Sequence, residues 1–436
     1  MKNNKALIRP DVLSDLFRAS GLKEKVFFTL FIIFIFRLGV HVPVPGLDIS
    51  VVNKVFGAGG LAGLLDMFSG GALSKFSVFA MGITPYINAS IIIQLMTSVI
   101  PKLEELQKEG GEAGRKQLAQ ITRYLTIVLG TLMSTGMAIA LWRSGAVLGA
   151  PAQGMPPIFF IINTVVTLVA GTIFIMWLGE QITEKGIGNG ASMLIFAGII
   201  ARFPNYFYNT AQSVQSGATN WFAVITLLLV FLSLIVGIIY ASEGARKIPV
   251  QSAKRQVGNK VYGGRASYLP FRVNQGGVMP IIFATSVLMF PNTIGQFVQA
   301  GPIKYVTDAL RYDKPLYPLF ECGLIFFFTF FYASITMNPI DIANNLKRYG
   351  SFIPGYRPGK PTADFLEGIL GRITLLGAFF ISMIALVPMI AERILGVNTL
   401  TGMGSTSLLI MVGVAVDLFN QFQTHLLARQ YDGFVK

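Results

Sequence analysis

Cysteine is nearly missing from this chain of 436 residues; one, Cys322, sits in an apolar run. No disulfide framework is possible. Histidine is almost as scarce: His41 and His425 lie nearly the whole chain apart, and no HExxH or CxxC occurs. Only 13% of residues are charged, against about a quarter in soluble domains. The nearest approach to a phosphate loop is GYRPGKP at 355–361. It has three residues between its glycines rather than four, and Pro361 stands where a Ser or Thr would hold magnesium. These shortages exclude a catalytic constellation, so no enzyme, metal or cofactor is expected. If something is moved against a gradient, another protein hydrolyses the ATP or GTP.

What the chain has is apolar length. Hydrophobic residues make up 53%, and mean hydropathy is +0.61. The expected class is an all-α polytopic membrane protein. Ten transmembrane helices are predicted at 26–42, 76–100, 118–142, 157–177, 187–203, 221–240, 277–298, 317–337, 373–391 and 405–422. The first run lacks a cleavage site, so no cleaved signal peptide is expected.

Ten spans put both termini on one side. Lys and Arg test the topology. The tails and even-numbered loops, counted with Arg123 at the inner end of the third span, carry 26 of the 35; the alternate loops, counted with Arg202 at the outer end of the fifth span, carry eight; Arg37, near the outer end of the first span, is the remaining one. Basic residues favour the cytoplasmic side, so both termini are predicted there. The spans divide five and five near residue 215. An odd number per half forces the halves to be inverted. The predicted organisation is a polar amphipathic segment at 1–25, a first half at 26–215, a second half at 216–424 and a tail at 425–436. Two long basic loops, 243–275 and 339–372, face the cytoplasm.

One stretch resists this scheme. Leu61–Phe68 is apolar but only eight residues long, far short of the roughly 20 a helical span needs. Gly70-Gly71 separates it from the second span. Irregular backbone at membrane depth survives only inside protein or around a water-filled cavity, so this stretch points to a pore with an inserted element. Midplane acids, which ion-coupled transporters use, are few: Asp417, read as a buried paired carboxylate, Glu321 and Asp66. Aliphatic residues are placed there instead. Ile83 and Ile87 share a face, as do Ala191 and Ile195, with Ile282 and Ile410 at mid-depth. Alone they are ordinary packing residues; as a ring they would keep a narrow pore dry. Asn88, Gln94, Asn274 and Gln275 face either other helices or an aqueous funnel.

The motifs GITPYINASIIIQLM, LLDMFSGGALSKFSVFAM, WLGEQITEKGIGNGASMLIFAGI, EGARKIPVQSAKR, SYLPFRVNQGGVMPIIFA and IPGYRPGKPT occur along nearly the whole chain. Through them the chain resembles the SecY family, the channel subunits of the bacterial Sec translocon and their eukaryotic alpha-subunit relatives. The resemblance implies two inverted five-helix halves closing as a clamshell on an hourglass pore, with the short re-entrant helix as plug. It places Leu61, Leu64, Leu65, Asp66, Met67 and Phe68 in the plug. It maps the pore ring to Ile83, Ile87, Ala191, Ile195, Ile282 and Ile410, where Ala191 departs from the family's branched residue. It puts a lateral gate between spans 2–3 and 7–8, with Asn88, Gln94 and Thr285 as gate residues.

Arg357, with Arg246, Lys247, Lys254 and Arg255, would then dock the SecA motor or the ribosome, since guanidinium forks suit phosphates and carboxylates. Further implied partners are SecE, SecG, signal sequences, nascent chains, membrane lipid, SecDF and YidC. The implied location is the bacterial inner membrane, with the plastid thylakoid as alternative. The implied function is a passive channel that moves unfolded preproteins across the membrane and releases transmembrane segments into it. The competing reading from the residues alone is a small-solute transporter with discontinuous helices.

Overall fold

The computed structural model describes residues 20–56, 61–147, 157–252, 255–257, 260–262, 266–297, 309–310, 314, 316–395 and 405–432. The elements used below are α1 (Ser20–Gly39), α2 (Ile49–Phe56), α3 (Leu61–Phe68), α4 (Thr84–Val99), α5 (Pro101–Lys108), α6 (Gly111–Arg143), α7 (Pro157–Lys185), α8 (Gly190–Gln215) and α9 (Trp221–Glu243). The strands β1 (Ala245–Ser252), β2 (Arg255–Val257), β3 (Lys260–Tyr262) and β4 (Ala266–Arg272) follow. Then come α10 (Met279–Phe297), α11 (Leu316–Thr336), α12 (Pro339–Arg348), β5 (Ser351–Phe352), α13 (Lys360–Leu395) and α14 (Ser405–Asp432).

Each predicted span overlaps a helix. Among the described residues, six helices are long and apolar enough to cross a membrane, and the bent pair α4–α5, with a 102° break, makes a seventh. The first span, α1, carries Lys23, Glu24, Lys25 and Arg37. Met279–Leu288 of α10 is a shorter apolar stretch.

The second span differs from expectation. Its helix starts at Thr84, not Phe76, and residues 76–83 form successive turns. Phe76 has φ 41° and Gly82 φ 56°, values a right-handed helix cannot contain. Pro85 then falls in the first turn of α4, where its missing N–H costs nothing. Composition alone could not separate this apolar coil from helix. Helices also run past the apolar limits: α13 begins at Lys360 and α14 continues to Asp432, through most of the predicted tail.

The chain forms two compact units. The first is Met1–Gln212, Met289–Asp313 and Val414–Lys436; the second is Ser213–Leu288 and Lys314–Gly413. The first break falls close to residue 215, but 289–313 and 414–436 group with the first unit.

In the first unit, Val44, Leu73, Phe76, Met81, Met137 and Leu168 belong to one buried cluster, and Leu65 of α3 packs against it. Backbone bonds tie the coil together: Val44 N–H donates to the Phe76 carbonyl at 3.0 Å and Val78 N–H to Val42 at 2.9 Å. A methyl on Gly171 of α7 would overlap the Val78 carbonyl, so this helix is held directly against the coil.

In the second unit, a three-stranded antiparallel sheet in the order β4-β1-β5 packs on α13. Strand β5 reaches only Gln251 and Ser252. Pro249 therefore has a partner strand on one side alone, where proline is tolerated. Ile248, Val250, Phe271, Ile353, Leu366 and Leu370 lie in the shared core.

Candidate functional site

The short helix α3 occupies a built seat in the first unit. Its C-terminal half is buried: Met67 fully, Phe68 and Asp66 at 7% exposure. The seat for Met67 and Phe68 contributes about 3–6 kcal/mol relative to exposure in water. The helix ends because Gly70 and Gly71 take φ values of 68° and 92°, a region glycine enters without a Cβ penalty. Gly71 N–H donates to the Asp66 carbonyl at 2.8 Å. Gly70 rests on Gly198 of α8: a Cβ built on Gly70 would lie 3.0 Å from the Gly198 Cα.

Charge holds the same turn. Asp66 forms an ion pair with Arg202 of α8. Its other oxygen accepts the Ser74 N–H at 2.7 Å. Arg37 of α1 donates to the Gly70 carbonyl at 2.8 Å. The side chains of Leu61 and Leu64 lie outside the described residues.

Four ring candidates lie in this unit. Ile83 is the N-cap of α4 rather than a residue within it, and its carbonyl accepts Ile87 N–H at 3.1 Å. Ile83 and Ile195 are buried, and Ile87 is at 9% exposure. Gly179 of α7 brings two of them together: a Cβ there would lie 3.6 Å from the Ile83 Cδ1 and 3.6 Å from the Ala191 nitrogen. A methyl on Gly190 would overlap the Gly179 carbonyl, so these helix ends approach at backbone distance. Asn189 caps α8 by accepting the N–H groups of Ala191 and Ser192, at 3.1 and 3.3 Å. In the second unit, Ile282 and Ile410 are buried, at 4% and 0% exposure.

The polar candidates divide by hydrogen bonding. Thr285 is buried, and its hydroxyl donates to the Ile281 and Ile282 carbonyls of its own helix, at 2.9 and 3.0 Å. Asn88 is buried and its Oδ1 has no partner among the described residues. Gln94 is half-buried. Asn274 Nδ2 donates to the Gly277 carbonyl at 3.0 Å, a local turn bond and not an interhelical one.

The two basic loops are one folded lobe. Arg246 and Lys247 are exposed on β1, opposite Phe271 and Pro270 of β4. Exposed Arg357 sits in the turn between β5 and α13. Gly355 and Gly359 bracket it with φ of 90° and 108°. Thr362 Oγ1 donates to the Arg357 carbonyl at 2.7 Å, and Tyr356 stacks on Phe365 at 3.9 Å. Lys254 and the side chain of Arg255 lie outside the described residues.

Asp417 corrects the expectation of a buried carboxylate. It is exposed, on a cavity of about 220 Å³ lined also by Gly188, Asn189, Ser192 and Gln421. Sequence reasoning missed Arg202, Ser74 and Gly198 as parts of the short helix's seat. Arg37 and Arg202 each carried a signal, as basic residues at the predicted outer ends of the first and fifth spans; Ser74 and Gly198 carried none.

The SecY family model matches residues 77–419. The chain is 46% identical over 428 residues to the protein translocase subunit SecY of Synechococcus elongatus, covering 96% of this chain and 95% of the relative. It is 43% identical to that of Aquifex aeolicus, covering 98% and 99%. A solved structure described as a protein-conducting channel aligns with a TM-score of 0.63 at 16% identity, covering 92% of each chain. Another, described by the plug domain of SecY that stabilises the closed state and maintains a membrane seal, aligns at 0.64 and 17% identity, again covering 92% of each.

The fold is thus that of the membrane-embedded protein-conducting channels: mostly helical, with ten transmembrane helices in two five-helix halves and a short re-entrant helix. The chain belongs to the SecY family.

Proposed function

We propose that this chain is the channel-forming subunit of a protein translocase. Unfolded preproteins cross the membrane through it, and transmembrane segments leave it sideways into lipid. The observation that carries this reading is α3, a helix of eight residues, too short to span, seated on α1, α8 and the coil before α4. An element so placed serves as a removable stopper. Ile83, Ile87, Ala191, Ile195, Ile282 and Ile410 form the dry constriction beneath it. Asn88, Gln94 and Thr285 line the lateral opening.

The basic lobe gives the channel its motor contact. Arg246, Lys247 and Arg357 are exposed on one folded unit, on which SecA or the ribosome docks, while SecE and SecG complete the complex. The chain does no catalysis; the partner supplies the energy. The membrane is the bacterial inner membrane, with both termini cytoplasmic. A small-solute transporter would need a coupled site of ionisable groups at the midplane; of the acids considered for one, Asp66 is taken up by its pair with Arg202 and Asp417 is exposed.

The test is reconstitution of the chain with SecE and SecG in vesicles, with SecA, ATP and a preprotein. Protease-protected preprotein that requires this chain and ATP is the expected result. Protection that is equal without the chain refutes the proposal.

A further inference from the structure

Two arginines in the first unit converge on one turn. A Cβ on Gly70 would lie 3.0 Å from the Arg37 Nη1, and one on Gly71 would lie 3.1 Å from the Arg202 Nε. Each glycine therefore leaves room for a guanidinium. Arg37 is bonded to the Gly70 carbonyl at 2.8 Å. Arg202 pairs with Asp66 and reaches the Ser74 hydroxyl at 3.3 Å. Ser74 N–H closes the loop on Asp66 at 2.7 Å. The side chains are mostly sheltered: 19% exposed for Arg202 and 9% for Asp66.

We propose that Arg37 and Arg202 are positioning residues that latch the short helix shut at two points, and that channel opening requires the Asp66–Arg202 pair to part. This rests on the reading of α3 as the stopper.

The physical logic concerns reversibility. A stopper held by apolar contact alone would also bind other apolar surfaces, including the passing chain. Charged groups behave differently. In the seat they need each other, because an unpaired sheltered charge is costly. When α3 leaves, Asp66 is solvated in water, while Arg202 stays on α8 and is solvated by the water that enters the vacated seat. The pair thus stabilises one position of α3, and a small displacement forfeits it. Arg37 adds direction: its bond is to a backbone carbonyl that only the Gly70-Gly71 turn presents. The same arrangement accounts for two basic residues at the predicted outer ends of the first and fifth spans, where the charge bias disfavours them.

The experiment uses the complete complex in vesicles. Resting ion conductance is measured for the wild type, Arg202→Met, Arg202→Lys, Asp66→Asn and a deletion of Leu61–Phe68. Deletion should raise conductance, which tests the stopper reading by itself. Arg202→Met and Asp66→Asn should raise it at least several-fold, the double variant no further, and Arg202→Lys should restore most of the seal. Leaky deletion with tight Arg202→Met and Asp66→Asn overturns the latch and leaves the stopper. A tight deletion overturns both.

A second readout does not depend on current. In a Cys322→Ala background, Met67→Cys should resist an impermeant thiol reagent, since Met67 is fully buried, and should label once Asp66→Asn is added. Unchanged protection overturns the latch. If Arg202→Met fails to reach the membrane, Asp66→Asn, which leaves both arginines in place, carries both readouts.

Discussion

Gly198 is the position where a small change should unseat the short helix. Its Cβ, if it had one, would lie 3.2 Å from both the Cα and the nitrogen of Gly70 and 3.3 Å from the Met67 carbonyl oxygen. Ordinary carbon contacts begin near 3.5 Å. Alanine therefore asks the turn to yield by a few tenths of an ångström. Leucine adds three further carbons in the same direction and cannot fit while Gly70 stays. Overpacking of this kind costs about 1–3 kcal/mol, a shift of roughly 5- to 150-fold in a two-position equilibrium. The bonds from Arg37 and Arg202 to this turn would be lost with the movement. Resting conductance of vesicles holding the complex should rise by about that factor for Gly198→Leu and only slightly for Gly198→Ala. Gly63, on α3 itself, has open space within 4 Å of where a methyl would sit. Gly63→Ala should stabilise the helix by about 1 kcal/mol and leave conductance unchanged. Wild-type conductance in a normally inserted Gly198→Leu complex would refute the packing argument.

Other consequences concern the lobe and the lateral opening. Arg357→Glu should nearly abolish SecA- or ribosome-driven translocation while protease resistance of the folded chain is kept; normal translocation would remove Arg357 from the motor contact. Thr362→Val deletes the hydroxyl bond to the Arg357 carbonyl, worth about 1 kcal/mol, and should weaken motor affinity about fivefold without touching a charge. Cysteines at Asn88 and Thr285, joined by a bifunctional crosslinker, should stop export; export at the uncrosslinked rate would place the opening elsewhere.

Much of the fold was legible because hydrophobic length is a local property. α9, from Trp221 to Glu243, could be read to within a few residues. Where the sequence misled, the cause was equally local. Phe76–Ile83 is as apolar as a helix, and only the positive φ of Phe76 and Gly82 reveals a coil. The 245–272 strands look like loop in the sequence, because basic charge dominates RKIPVQSAKR and hides the alternation that buries Ile248 and Val250. α13 gains its first turns from Lys360 because Leu366, Ile369 and Leu370 pack under the sheet, a contact that no hydropathy window contains.

The candidate site divides along the same line. The short helix announced itself by failing to span, and Arg37 by lying on the wrong side of a charge bias. That Arg202 and Ser74 both meet Asp66 was not legible. Arg202 and Ser74 are 128 residues apart, and Gly198 is an ordinary-looking glycine in the motif LIFAGI. Their meeting is a product of how α1, α3 and α8 pack, not of any spacing in the chain.

A translocating polypeptide should travel past the aliphatic constriction. Photo-reactive side chains at Ile87, Ile195, Ile282 and Ile410, each tested singly during arrested translocation, address it directly. Leu229, 62% exposed on α9, serves as the lipid-facing control. Crosslinks to the arrested preprotein are expected from the four isoleucine positions and none from Leu229. Crosslinks absent at all four, with translocation intact, would contradict that passage.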